Sequence, residues 1–476
     1  MDLNNWCIQD ERLVNSISLE TYKQYAGLKF DKKIIENLSK KRIIHQKLFL
    51  KNFKEPKELY RLCVDSLAYS ENSKTRMEIY ELRNSYLKSD IFKLNNKPVS
   101  WNTWRQFNVL STQEERKIIL DEFLSKIGKL TPLFWQCFQK SKEIHKEYNL
   151  TPLDCYLENE KIKLKKLKST IEYLGEKAKK PFRKSLENYS SEIMGCLAVP
   201  SDCFYFFRSV IFKPLNPLFK KYNPVLKAKK LMKELNIDTR RIKIDTENRT
   251  KKYASPVFFE IKIPDDGRVL YKSINPYTDF TSCFHEVGHA VHFTNIDKNF
   301  PYWKKYNIPT GIAETFSMFF ELPLSDKSYL KKEIKLSDEQ ILDLKDRIRF
   351  MDLFFLVFYS ANSLMKIKFL EKNLTMESAD REYQRLFKKF LGFDIDGRVW
   401  QLHHVMPDND LYSPSYTIAG IRSIELKNYL KNNFGELWWK DKNSGKFIME
   451  LAEQGSTADF SSFSSLNPKI YLKNLT

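Results

Sequence analysis

The chain leaves its helical hydrophobic period in only one stretch, and the fold class follows from that interruption. Through residues 1–200 apolar side chains recur at helical spacing, as in Glu114–Tyr148, EERKIILDEFLSKIGKLTPLFWQCFQKSKEIHKEY. Such a period marks helices with one buried face. Near residue 240 a period of two replaces it. Arg241–Asp245 reads RIKID, and Val257–Ile274 reads VFFEIKIPDDGRVLYKSI. The second stretch has two strand-like runs around Asp265-Asp266-Gly267, a turn signal, and predicts a β-hairpin. Asn275-Pro276 stops it, Thr278 or Asp279 is placed to cap a helix, and the helical period then resumes to the C-terminus. The expected architecture is mainly α. A helical N-terminal lobe spans 1–235. A second region, 236–476, holds a small antiparallel hairpin or sheet and a helical C-terminal lobe.

The helix expected after the hairpin carries Phe284–Phe293, FHEVGHAVHF. Residues four apart on a helix differ by only about 40° around its axis, so His285 and His289 point to one side and can place two imidazole nitrogens on one ion. Zinc suits such a site, since it takes nitrogen and oxygen ligands in tetrahedral geometry. Glu286 stands one step round the helix, beside the ion, where it can take a proton from water. A catalytic zinc keeps three protein ligands and one open position, so a third ligand is expected downstream. Gly311–Leu322 reads GIAETFSMFFEL and puts Glu314 and Glu321 seven apart on one helix face. Glu314 is expected to bind the metal, and Glu321 to accept the free N–H of a ligand histidine. Histidine is also clustered. Of seven, three are His285, His289 and His292, and two are His403 and His404. The second pair lies in Trp400–Gly420, WQLHHVMPDNDLYSPSYTIAG, near Tyr412 and Tyr416. Histidine N–H and tyrosine O–H can share an oxyanion with a metal, so His404, Tyr412 and Tyr416 are candidate donors; alternatively the aromatics are core and His404 caps a turn.

HEVGHAVH followed by IAETFSMFFE resembles the oligoendopeptidase F and thimet oligopeptidase family, with its H-E-x-G-H-x-x-H helix and A-E-x-x-S-x-x-x-E helix. The segment YSPSYTIAG, with His404 before it, also resembles the carboxypeptidase Taq family, and related histidine and tyrosine positions occur in the angiotensin-converting enzyme group. The resemblance covers about residues 255–425. It implies a two-lobed helical metallopeptidase with a deep substrate channel. It also implies one Zn²⁺ on His285, His289 and Glu314, Glu286 as general base, and short unfolded peptides as substrates. His404, Tyr412 and Tyr416 would serve substrate and transition state. The hairpin resembles the edge strands that line the cleft in this clan, so Val257–Ile263 or Arg268–Ile274 is expected to pair with substrate. A carboxypeptidase would need a cation for the substrate carboxylate, with Arg349 and Arg422 as candidates. The H-P-F-T motif of the Taq type is absent before the zinc helix.

Composition bounds the alternatives. In 476 residues, 42% hydrophobic and 29% charged, there is ample apolar material for a core. The net charge of +20 admits a third reading, a basic helical protein binding nucleic acid or an acidic partner around a structural or vestigial zinc. The lysines are scattered, however, and no zinc-finger spacing or RNA-recognition signature occurs, so a nucleic-acid partner is not expected. Seven cysteines with irregular spacing read as free thiols of a reducing compartment, and MDLNNWCIQDERLV has no signal-peptide pattern; the cytoplasm is the expected location. Leu353–Tyr359, LFFLVFY, is too short to span a bilayer and reads as a buried helix segment, so no membrane partner is expected.

Overall fold

The structure is a computed structural model that describes residues 2–85, 93–94, 97–98, 109–207, 210–253, 255–273, 275–402 and 411–475. It is predominantly helical. It divides into two compact units, one of residues 1–70, 214–345 and 418–474, the other of 71–213, 346–417 and 475–476. This division cuts across the boundary at 235/236 expected from chain order. Residues 1–70 pack with the segment that carries the histidine motif, a long-range pairing that no local pattern announces.

The second unit is built on aromatic packing between helices. The ring of Phe182 lies 5.7 Å from Phe354, and that of Phe206 lies 5.7 Å from Phe350. Leu353–Tyr359 falls within the helix Asp338–Lys372, whose most apolar window is long enough to cross a membrane by length and composition. That window is 83% buried within the protein, as a core helix is.

The first unit contains a three-stranded sheet: β1 (Ile242–Asp245), β2 (Val257–Lys262) and β3 (Asp266–Leu270), in the order β1-β3-β2. The hairpin β2–β3 is antiparallel as expected, but β1 adds to it in parallel, so the sheet is mixed. Its turn also falls earlier than the Asp265-Asp266-Gly267 signal. Asp266 and Gly267 already pair, with Lys262 and Glu260. Strand β3 is therefore central, which removes Arg268–Leu270 as an edge for substrate; β2 is an edge. Ile274 lies outside the described residues.

Period two divides the faces of β2. Phe259 and Ile261 are buried with Leu270 against Tyr22 and Ala26, at the end of the N-terminal helix (Leu3–Tyr25). Phe258 turns the other way and lies beside Phe293 and His289 of the motif helix (Pro276–Thr294). Gly267 makes room for this. A Cβ there would stand 2.6 Å from Thr294 Cγ2 and 3.0 Å from the Phe258 ring.

The motif helix starts one turn earlier than Thr278 or Asp279 would cap it. Asn275 is the N-cap, accepting from the Thr278 N–H at 3.2 Å, and Pro276 is the first helical residue. Proline lacks the amide that a helix start leaves unsatisfied, which favours it there. The Asp279 carboxylate answers by accepting the Asn275 N–H at 3.2 Å. Phe280, Cys283, Phe284, Val287 and Val291 form the buried stripe of this helix.

The motif helix packs on the glutamate helix (Thr310–Glu321) at Gly288. A Cβ on Gly288 would lie 2.6 Å from Phe316 O and 2.6 Å from Ser317 Cα, both backbone atoms that cannot swing away. Two opposed effects meet here. Alanine in place of a helix-interior glycine gains about 1 kcal/mol of propensity. Overpacking a tight contact costs typically about 1–3 kcal/mol. Because the obstacle is backbone, the clash outweighs the gain. Gly288→Ala is expected to lower the melting temperature and to weaken metal binding, read by thermal unfolding and metal titration on the same protein.

Candidate metal centre

The close contact at Gly288 brings Glu314 up to the two histidines that flank that glycine. His285 Nε2 is 3.4 Å from Glu314 Oε2, and His289 Nε2 is 3.7 Å from Glu314 Oε1. One nitrogen from each histidine and one Glu314 oxygen all lie within 4.8 Å of one another. Ligands about 2.0–2.1 Å from a tetrahedral zinc stand about 3.3 Å apart, so the two histidine–glutamate separations are already close to what such an ion needs. The donor chemistry fits as well, with two imidazoles and one carboxylate.

The surroundings orient these donors. His285 Nδ1 donates to Glu321 Oε1 at 2.7 Å, which makes Nε2 the nitrogen that a metal would take in exchange for its proton. Glu314 is 1% exposed, and Ser317 Oγ donates to its Oε2 at 2.8 Å. Glu286 is not in the triad. Its Oε2 accepts the Phe258 N–H of strand β2 at 2.7 Å.

Three carboxylates gathered around two imidazoles favour a cation. Burial works to lower the His285 pKa, but the Glu321 hydrogen bond and the carboxylates of Glu314, Glu321 and Glu286 overcome it and raise the group to about 10. A proton on His285 thus does part of what a divalent ion would do. Burial pushes the Glu286 carboxyl up to about 7; the His285 cation opposes this, Glu314 adds to it, and the Phe258 N–H opposes it. A base poised near neutrality suits proton transfer at ordinary pH. Burial lowers His289 to about 4, so it is a neutral imidazole available to a metal.

His285, His289, Glu314 and Glu321, expected from spacing, thus stand together within the first unit, with Glu286 beside them. Tyr412 and Tyr416 begin the helix Tyr412–Phe434 and fall in the second unit, their rings 5.0 Å apart. His404 lies outside the described residues, as does His403. Two contributors were not assigned from sequence. Ser317 has the i,i+3 spacing from Glu314 that a hydrogen-bond partner needs, which was a usable signal. The Phe258 contact is made by backbone and leaves no mark in the side-chain letters.

The third histidine of the motif has another role. His292 is fully buried and stacks on Phe316, centroids 4.2 Å apart and planes 9° from parallel. Burial depresses its pKa from 6.5 to about 3. The unfolded chain therefore binds this proton at a higher pH than the folded one. The resulting stability is present above pH 6.5 and is lost as pH falls toward 3. Denaturant unfolding of wild type and His292→Phe is expected to show wild type losing about 2–3 kcal/mol relative to the variant between pH 6.5 and 4.5. The difference should be flat above pH 7.

Glu321→Ala is expected to leave the fold intact and weaken metal affinity about 10–100-fold, the usual cost of removing the partner that orients a ligand histidine. Competition with a chelator of known affinity measures it.

No protein-family model and no curated protein sequence matches the chain. Solved structures do. The chain is similar to a Bacillus anthracis protein described as an oligoendopeptidase F, at 13% identity and a TM-score of 0.60, over 98% of this chain and 94% of that one. It is also similar to an M32 carboxypeptidase from Deinococcus radiodurans, at 12% identity and a TM-score of 0.58, over 99% and 97%. A third likeness is to PZ peptidase A, solved with an inhibitor, at 15% identity and a TM-score of 0.58, over 96% and 82%. At such identities the likeness is one of fold, and it extends over nearly the whole chain.

Proposed function

We propose that this chain is a zinc-dependent peptidase that hydrolyses short peptides, with His285, His289 and Glu314 as ligands of one ion and Glu286 as general base. The observation that carries the reading is the division of labour among the carboxylates. Glu314 closes a triad with both imidazoles, Glu321 orients one of them, and Glu286 stays outside the triad on the next helix position. A purely structural metal site has no use for that last group. The fold supports the reading, being shared with three proteins described as peptidases.

A divalent ion held by the triad would polarise the scissile carbonyl and acidify water beside it. Glu286 takes the proton from the attacking water and returns it to the leaving nitrogen, so that one water is consumed and one acid and one amine are formed. Glu321 keeps His285 in the tautomer that binds metal. Tyr412, Tyr416 and His404 are proposed to donate to the developing oxyanion, a role that rests on their place in the sequence.

Removal of single C-terminal residues is a second reading, favoured by the likeness to the M32 carboxypeptidase over 99% of this chain. The two readings separate in one experiment. The zinc-loaded protein is incubated with a mixture of short peptides and the products are weighed by mass spectrometry. Internal cuts support the oligopeptidase. Stepwise loss of C-terminal residues supports the carboxypeptidase, with Arg349 and Arg422 as cations to test. Intact peptides, with zinc bound, would overturn both.

A further inference from the structure

We infer that the main-chain amide of Phe258 is a positioning group for Glu286, and that strand β2 serves as the fixed rail that carries it. The catalytic half of this inference rests on the peptidase reading; the structural half does not.

A glutamate side chain has three rotatable bonds and two equivalent oxygens. On an exposed helix position it samples several rotamers, and few of them face a given reacting atom. Here the Phe258 N–H donates to one oxygen, Oε2, at 2.7 Å. The tether restricts the carboxylate to rotamers in which Oε1 remains free to take a proton. Small misplacements of a reacting group are costly, so a tether of this kind acts on the chemical step more than on substrate binding.

The tether is useful only if its anchor does not move, and β2 is pinned on several sides. Phe258 and Glu260 are two apart and present their main-chain groups to the same side of the strand. On that side, the Glu260 carbonyl accepts from Ser18 Oγ of the N-terminal helix at 2.8 Å. Further along, the Ile263 N–H donates to Tyr306 Oη at 3.3 Å, and Tyr306 in turn donates to Asn15 at 2.8 Å. On the other side β2 pairs with β3, Phe258 lying opposite Val269. The Phe258 ring is seated over Gly267 and stands 6.4 Å from the His289 ring, 23° from parallel. One residue thus bonds Glu286 through its backbone and sets its ring beside that of His289. The same contacts limit what β2 can offer a peptide. The Phe258 N–H and the Glu260 carbonyl are engaged within the protein, so these two groups do not pair with a substrate backbone.

Two measurements on the zinc-loaded protein test this. The first is hydrogen exchange resolved at the Phe258 amide, which does not depend on activity. Wild type and Glu286→Gln are expected to protect that amide alike, because the glutamine oxygen still accepts. Glu286→Ala is expected to expose it, with exchange about 10-fold faster or more, and with the β3 amides unchanged. Equal protection in Glu286→Ala would overturn the tether. The second replaces Phe258 by phenyllactic acid, which exchanges the N–H for an ester oxygen and keeps the ring. A fall in kcat of about 10–100-fold, with KM and zinc content unchanged, supports the positioning role. An unchanged kcat, or a raised KM alone, would overturn it and, in the second case, assign the amide to substrate. If wild type cuts no peptide, the peptidase reading fails, while the exchange result still decides the tether.

Discussion

Glu286→Gln is expected to keep its metal and lose its catalysis. The substitution is nearly isosteric, and the glutamine oxygen can still accept from the Phe258 N–H that Glu286 engages at 2.7 Å. The triad of His285, His289 and Glu314 is untouched, so zinc content should equal that of wild type. What disappears is the group proposed to move the proton. General acid–base catalysis contributes about 10²–10⁴-fold, and kcat should fall by that amount with little change in KM. The carboxyl also sets a limb of the pH profile. Its pKa is pushed up to about 7, chiefly by burial, with the His285 charge opposing the rise and Glu314 adding to it. A bound cation opposes it further, since a nearby positive charge favours the carboxylate. The acid limb of wild type should therefore lie below pH 7, where the base becomes protonated, and it should be absent from whatever activity the variant retains. Stopped assays across pH 4–9 on metal-matched protein provide both numbers.

Glu314→Ala is expected to lose the metal itself. Glu314 is 1% exposed and its oxygens stand 3.4 and 3.7 Å from the Nε2 atoms of His285 and His289, within the cluster that brings one carboxylate to both imidazoles. Glu321 is engaged by His285 Nδ1, on the far side of that ring from Nε2. With two imidazoles left, zinc affinity should fall by more than the roughly 10–100-fold expected for an orienting partner such as Glu321. Metal analysis after dialysis, with chelator competition, measures the loss. The order Glu314→Ala weaker than Glu321→Ala, and Glu321→Ala weaker than wild type, is itself a prediction of the assignment. Equal affinities for the first two would mean that Glu314 does not bind the ion.

What could be read from sequence follows the range of the interactions involved. The helical period, the hairpin between Val257 and Leu270, and the i,i+4 pair His285 and His289 are local, and local spacing revealed them. Glu314 and Glu321 were legible because seven residues make two helical turns, which keeps both carboxylates on one face. The parallel pairing of β1 with β3 is non-local: RIKID alternates like any strand and does not say which neighbour it joins. The turn was misplaced because Asp265-Asp266-Gly267 has the composition of a turn, whereas Gly267 is used to admit the Phe258 ring beside Thr294. Thr278 was a reasonable cap by residue type, but it donates to the true cap, Asn275. Gly288 was visible as a letter of the motif, yet its reason, a backbone contact with Phe316 and Ser317, required the second helix. The Phe258 amide has no side-chain signal at all.

The most direct test of the central claim is reconstitution. The protein is stripped of metal, zinc is added back in fractions of an equivalent, and cleavage of a short peptide is followed at each step. Cleavage is expected to be absent without metal, to rise linearly and to break at one equivalent, with Glu286→Gln binding the same single ion and staying silent. A protein that binds one zinc on these residues and cuts no peptide at any ratio, or one that cuts equally well without metal, would contradict it.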